Sequence, residues 1–397
     1  MKNILLVTSL YPLPTKENNC TFVCHYFTKE WVKMGYNVRV IHMQPVHFWG
    51  WHLLVKLFGK QLKNRAGGGN YYARKIRKTE EYIMDGVPVY RVPIYNFIPK
   101  GRYPQKSVDR FVNEVHSLLA RDGFVPDVIT AHSIDLNVVP AINDAYRAKT
   151  CMVNHGMSRK TKERFPNYRE LMDYYDLWGF RNNPHRISFI KNFGDVKKSF
   201  FCYSGIPKQA ITSTNAHSFD QPIKSFVFIG ELIERKYPET LLEAIPDLFS
   251  DYHITYIGNG PMDAHLKSVV KEKDIVDNVT FTGKIPRDHI YGCLDKCDCM
   301  IMISRGEVFG LVYLEAMARG CLVVASKNEG FDGIIVDGKN GFLCKAGDVD
   351  ALKQTLKKIK DLTKVERLSI SENAIATAKE MTDELVAKQY ANELMQL

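Results

Sequence analysis

Short apolar runs recur along the chain, each the length of a buried strand, and stretches with helical spacing separate them. In the first half the runs fall at 3–7, 37–42, 127–131, 150–153 and 186–190; in the second, at 225–229, 254–257, 279–281, 299–303 and 322–325. Continuous apolar runs suit strands buried on both faces, and their alternation with helices predicts an α/β chain of parallel sheets covered by helices. Two rounds of this alternation predict two doubly wound, Rossmann-like domains facing a central cleft. We place the first at 1–215 and the second at 216–380, joined near 215–222, with a final amphipathic helix over 381–397.

The most informative stretch lies in the second half. The run C-M-I-M-I-S leads into E-V-F-G-L-V-Y-L-E-A-M-A-R-G, which predicts a strand, a loop and a helix that begins near Gly310 and stops at Gly320. Glu307 falls in the loop and Glu315 inside the helix. A helix opening at the carboxyl edge of a parallel sheet offers unpaired N–H groups and about half a positive charge, which favours a phosphate. The two carboxylates accept hydrogen bonds only, so hydroxyl groups are their natural partners. A phosphate carrying a sugar on either side would satisfy the loop, the helix end and both glutamates. Taken alone, such a pair of acids is more often two solvated surface positions.

Charge and composition narrow the field. Of the net charge of +10, residues 1–200 contribute +15 and residues 201–397 contribute −5. The basic half lacks the usual nucleic-acid motifs, and its cations form no single tract, which points away from nucleic acid and toward an anionic membrane or a lipid-phosphate acceptor. Within it, F-W-G-W-H-L-L-V-K-L-F-G-K-Q-L-K-N-R at 48–65 has the spacing of a helix that lies in a membrane interface or covers a core, followed by the loop A-G-G-G-N. The opening run is too short for a signal peptide and no segment approaches a membrane span, so the expected location is cytoplasmic, with peripheral association at the inner face of the cell membrane. Nine scattered cysteines fit packed thiols better than a disulfide framework, and Cys293, Cys297 and Cys299 lack a fourth zinc ligand nearby.

Several fragments together resemble a known family. They are F-I-G-E-L-I-E-R-K at 228–236, I-G-N-G-P at 257–261, V-T-F-T-G at 279–283, the glutamate pair, and E-G-F-D-G-I-I-V-D-G-K-N-G-F-L at 329–343. In this order they resemble retaining glycosyltransferases of GT-B fold, family-four type, also called glycosyl transferases group 1. The first half matches more loosely, through P-D-V-I-T-A-H-S at 126–133 and N-H-G at 154–156. The resemblance implies a hexosyltransferase-type enzyme that moves a sugar from a nucleotide-diphosphate sugar, a UDP-sugar by family frequency, to a glycan or lipid-linked acceptor with retention. The setting it implies is cell-envelope polysaccharide or glycolipid synthesis. The nucleotide sugar is a co-substrate, and no separate cofactor is expected.

The resemblance also assigns roles. Glu307 would face the donor sugar, Lys236 and Arg235 would meet the diphosphate, and Glu315 would hold the ribose hydroxyls. Backbone at Phe309, Gly310 and Leu311 would meet the sugar and distal phosphate, Gly258 and Gly260 would border the base, and His155 would stand near the donor sugar. The final helix would return to the first domain. Two departures stand out: Glu231 replaces a usual arginine, and the first strand is followed by a loop through Asn19, Cys20 and Thr21 without paired glycines. They keep alternatives in view: a nucleotide-sugar epimerase of GT-B-like fold, or a non-catalytic nucleotide-sugar-binding partner subunit. A dehydrogenase is disfavoured because no G-x-G-x-x-G follows the first strand. The single D-x-D, at Asp348 and Asp350, precedes a helical run and reads as an N-cap, so no metal is expected.

Overall fold

A computed structural model describes residues 2–14, 21–47, 78–96, 102–157, 160–213 and 217–397. The stretches at 48–65 and 66–70, with Asn19 and Cys20, lie outside the described residues. The chain divides into two units. Unit 1 comprises Met1–Phe180, Phe189–Cys202 and Val386–Leu397; unit 2 comprises Arg181–Ser188 and Tyr203–Leu385.

Unit 1 is built on an eight-stranded sheet of β1 (Asn3–Thr8), β2 (Asn37–His47), β3 (Glu80–Met84), β4 (Val87–Asn96), β5 (Val128–His132), β6 (Lys149–Asn154), β7 (Leu177–Phe180) and β8 (Ser199–Phe201). Its order is β3-β4-β2-β1-β5-β6-β7-β8, and every pairing is parallel except β3 with β4. The sheet is therefore not wholly parallel, as the alternation had predicted. The reason is local: Asp85-Gly86, both at positive φ, turn the chain in two residues, which only antiparallel strands allow. Ile4, Leu5, Leu6 and Val7 of β1 have no exposed surface, as expected for a central strand covered on both faces. On one side α2 (Gln105–Arg121) buries Val108, Phe111, Val115 and Leu119. The carboxyl end of the last helix, α13 (Asp383–Met395), belongs to this unit, where Trp31 donates from Nε1 to the Ala387 carbonyl at 2.9 Å.

Residues 186–190 are not a strand. They lie in α6 (Asn183–Phe193), where Pro184 occupies the first turn, the helical position that tolerates it. Alternation of Ile187 and Phe189 imitated a strand, but Phe189 and Phe193, one turn apart, are the buried pair, while Ile187 is exposed.

Unit 2 holds a parallel six-stranded sheet in the order β11-β10-β9-β12-β13-β14, formed by β9 (Ser225–Ile229), β10 (His253–Ile257), β11 (Val279–Gly283), β12 (Cys299–Ile301), β13 (Leu322–Ser326) and β14 (Phe342–Cys344). The helix after β12, α10 (Leu311–Arg319), runs between Gly310 and Gly320, both left-handed, so the two glycines set its ends. Asp348 caps α11 (Val349–Asp361), its Oδ1 accepting from the Ala351 N–H at 3.0 Å. No described helix is long and apolar enough to cross a membrane.

Candidate active site

In an open parallel sheet, ligands bind where strand order reverses, because the loops leaving neighbouring strands diverge there. In unit 2 that point lies between β9 and β12. The loop after β9 carries Gly230, Glu231, Arg235 and Lys236; the loop after β12 carries Glu307, Phe309 and Gly310. The two loops bring Lys236 and Glu307 together, Nζ to Oε2 at 3.8 Å, with each side chain only about 15% exposed. This is an ion pair longer than a hydrogen bond, and Glu307 Oε2 is buried with no hydrogen-bond partner among the described residues. Burial lowers the Lys236 pKa from its ordinary value, opposed chiefly by the charge of Glu307. Lys236 folds back over Gly230, where an added Cβ would lie 2.9 Å from Nζ.

Other groups fix the Glu307 loop. Glu329 accepts the Glu307 N–H through Oε2 at 3.0 Å. Gly330 lies so close that a Cβ would be 2.8 Å from the carbonyl oxygens of Glu307 and Phe309. A Cβ on Gly310 would meet the Tyr313 ring at 2.4 Å, while the Tyr313 hydroxyl donates to the Met302 carbonyl at 2.6 Å. Phe309 is buried against Phe331, ring centres 5.3 Å apart, with the Arg181 guanidinium carbon 5.3 Å from the centre of the Phe309 ring. Asn182 donates from Nδ2 to the Val308 carbonyl and accepts the His185 N–H through Oδ1. Burial, with help from Arg181, lowers the His185 pKa, and Glu307 opposes the shift.

The remaining expected residues of this unit take different positions. Glu315 is buried, and its Oε1 accepts from Arg287 Nε at 2.5 Å; Arg287 opens α9 (Arg287–Leu294). Burial raises the Glu315 pKa, and the charge and hydrogen bond of Arg287 pull it back. Exposed Arg235 is tied to Arg305, whose N–H donates to the Arg235 carbonyl at 2.7 Å, and Leu311 begins α10. Gly258 and Gly260 serve a crossing of two loops: a Cβ would lie 2.0 Å from the Gly230 oxygen and 2.4 Å from the Leu232 oxygen, respectively. Glu231 is exposed on the loop after β9. Among the described residues no group of His, Cys, Asp and Glu could hold a metal ion.

In unit 1 the order reverses between β1 and β5. Ser9 after β1, Ser133 to Leu136 after β5 and Asn154 to Met157 after β6 line a cavity of about 280 Å³ there. His155 lines it, set by a turn in which Asn154 Oδ1 accepts the N–H groups of Gly156 and Met157, both at 2.9 Å. Its Nε2 is 3.0 Å from Nδ1 of buried His132. Asp135, in the same wall, is paired with Arg164 at 2.7 Å, and burial raises its pKa against that partner.

Glu329, Arg287, Asn182, His185 and His132 were not assigned by the sequence reading. Glu329 stood inside a fragment quoted for the resemblance. So did His132, in the fragment at 126–133; Arg287 and Asn182 carry no such signal, because Glu315 and Val308 lie 28 and 126 positions away, and His185 directly precedes the run that reads as a strand.

Comparison with known proteins gives a family match and neighbours in fold. Residues 212–377 match the family described as Glycosyl transferases group 1. That segment, about two fifths of the chain, is where it resembles the group 1 glycosyltransferases. The chain is 25% identical over 246 residues to N-acetyl-alpha-D-glucosaminyl L-malate synthase of Bacillus anthracis, covering 59% of this chain and 58% of that protein. It is 22% identical over 362 residues to the putative colanic acid biosynthesis glycosyltransferase WcaL of Salmonella typhimurium, covering 85% and 86%. The chain spans about half the length of the first curated relatives it matches, 46% and 58%. The crystal structure of HepE from Anabaena in complex with UDP and glucose superposes with a TM-score of 0.66 at 18% identity, covering 100% of both chains. The chain therefore has the GT-B fold, and the family match at 212–377 takes in Lys236, Glu307 and Glu315.

Proposed function

We propose that this protein is a group 1 glycosyltransferase and that it transfers a sugar from a nucleoside-diphosphate donor to an acceptor hydroxyl with retention of anomeric configuration. The observation that carries the reading is the meeting of Lys236 and Glu307 at the switch point of unit 2, with the buried Glu307 Oε2 lacking a hydrogen-bond partner among the described residues. Lys236, Arg235 and the opening of α10 meet the diphosphate. As the glycosidic bond breaks, negative charge builds on the leaving oxygen, and a fixed ammonium beside it lowers the barrier. Glu307 accepts hydroxyl groups of the sugar and orients the anomeric carbon. Glu315 accepts a ribose hydroxyl, its carboxylate aimed by Arg287. Backbone at Phe309, Gly310 and Leu311 meets the sugar and distal phosphate, Gly258 and Gly260 hold the loops bordering the base, and His155 faces the donor sugar. No metal enters this scheme.

A UDP-sugar is the donor we favour, supported by the UDP and glucose held by HepE. The acceptor is a glycan or lipid carrier of cell-envelope polysaccharide or glycolipid synthesis, supported by the colanic acid relative and by the +15 charge of residues 1–200. That charge also favours peripheral contact with an anionic membrane. The test is incubation with labelled nucleotide sugars, with and without lipid extract, followed by NMR of the product anomer. Retained configuration in an acceptor-dependent product supports the reading; epimerised donor without acceptor, or binding without turnover, overturns it.

A further inference from the structure

In unit 1, three buried polar side chains and the half-buried His155 form one hydrogen-bonded chain. Thr130 Oγ1 bonds the hydroxyl of Tyr390; that hydroxyl is 3.1 Å from Nε2 of His132; and Nδ1 of His132 is 3.0 Å from Nε2 of His155. Thr130 and His132 have no exposed surface, and Tyr390 has 1%. Tyr390 comes from α13, at the far end of the sequence from the strands that carry the others. Phe27, Trp31 and Phe200 hold its ring at centroid distances of 5.2, 5.1 and 5.1 Å.

The chemistry gives the chain a direction. A neutral imidazole carries one N–H, so each ring must donate at one nitrogen and accept at the other. Between Tyr390 and His132 the phenol is the better donor and the bare imidazole nitrogen the better acceptor. Burial also pushes the Tyr390 hydroxyl far above its ordinary range, keeping its proton in place. Once the phenol donates to Nε2, His132 carries its proton on Nδ1 and donates to Nε2 of His155. His155 must then carry its own proton on Nδ1. The Thr130 hydroxyl completes the chain by donating to Tyr390, so every link has one donor and one acceptor.

We infer that His132 and Tyr390 are positioning residues that hold His155 as its Nδ1–H tautomer. Imidazole in water prefers the Nε2–H form, so the fold selects the less common one, and the hydrogen bond at one nitrogen sets what the other offers. The role rests on the reading above only insofar as His155 faces the donor sugar; the tautomer itself does not depend on it. The last helix thus supplies a polar tie to His155 within unit 1 as well as apolar packing.

Side-chain ¹⁵N NMR of the histidines in the full chain tests this directly. In the unmutated protein the expected spectrum has His155 Nδ1 protonated and Nε2 bare; the reverse pattern would overturn the proposal by itself, without any variant. His132→Phe should return His155 to the Nε2–H form, and an unchanged tautomer there would also overturn it. Turnover supplies the second readout: His132→Phe should lower kcat about tenfold, roughly 1.4 kcal/mol, with the donor KM within about twofold. Should the NMR arm hold in a protein that turns nothing over, the proposed function fails and the positioning chain stands.

Discussion

Lys236 and Glu307 stand 3.8 Å apart, although 71 positions separate them in the chain and each sits on a different strand-to-helix loop. The sheet's order places them there, since β9 and β12 are neighbours and their outgoing connections diverge. Lys236→Ala and Glu307→Ala should each lower turnover tenfold or more, about 1.4 kcal/mol or greater. Circular dichroism should show both folded, and wild-type rates in either variant would remove these roles.

Glu329 should matter through the backbone it holds. Its carboxylate accepts the Glu307 N–H. Glu329→Ala should cost about tenfold in kcat, roughly 1.4 kcal/mol, whereas Glu329→Gln keeps an acceptor oxygen and should stay within about threefold of the parent. Steady-state kinetics on the pair separates an acceptor role from a need for charge, because equal losses in both would indicate that charge matters.

Arg287 and Glu315 give a pH-dependent prediction. Glu315 is buried and its pKa is already raised, so removing Arg287 should raise it further. A carboxyl with a folded-state pKa above its unfolded value binds more protons when folded. Its contribution is fully present below the unfolded pKa and is lost as pH rises through the folded one. Arg287→Ala should therefore destabilise unit 2 more at pH 8 than at pH 5. Because Arg287 is itself 35% exposed, the loss at pH 8 should be about 1–3 kcal/mol. Urea unfolding at the two pH values measures it; an equal loss at both would show that Glu315 does not titrate in this range.

Gly258 should tolerate no side chain. Its φ is +138°, and a Cβ would lie 2.0 Å from the Gly230 oxygen. Gly258→Ala should destabilise by at least about 2 kcal/mol. A thermal midpoint within a degree of the parent would show that the crossing of the two loops can relax.

Much of this protein was legible in its sequence because the relevant forces are local. Strands buried on both faces leave apolar runs, so β1, β9, β10 and β13 could be placed without a structure. Gly310 and Gly320 bracket a helix because only glycine enters the left-handed region cheaply, and Asp348 caps one because its carboxylate reaches its own neighbours. Where a local pattern was ambiguous, packing decided: 186–190 alternates like a strand, yet Phe189 and Phe193 bury one face of a helix.

Partnership is different in kind. The sequence named Lys236, Glu307, Glu315 and His155 from fragments of a family pattern, but nothing along the chain says that Glu329 holds the Glu307 backbone, that Arg287 compensates a buried Glu315, or that Tyr390 from the last helix reaches His132. Those pairs lie 22, 28 and 258 positions apart. Chain connectivity constrains only near neighbours, whereas a buried charge or hydrogen-bonding group must find its complement wherever the fold brings one within about 3 Å.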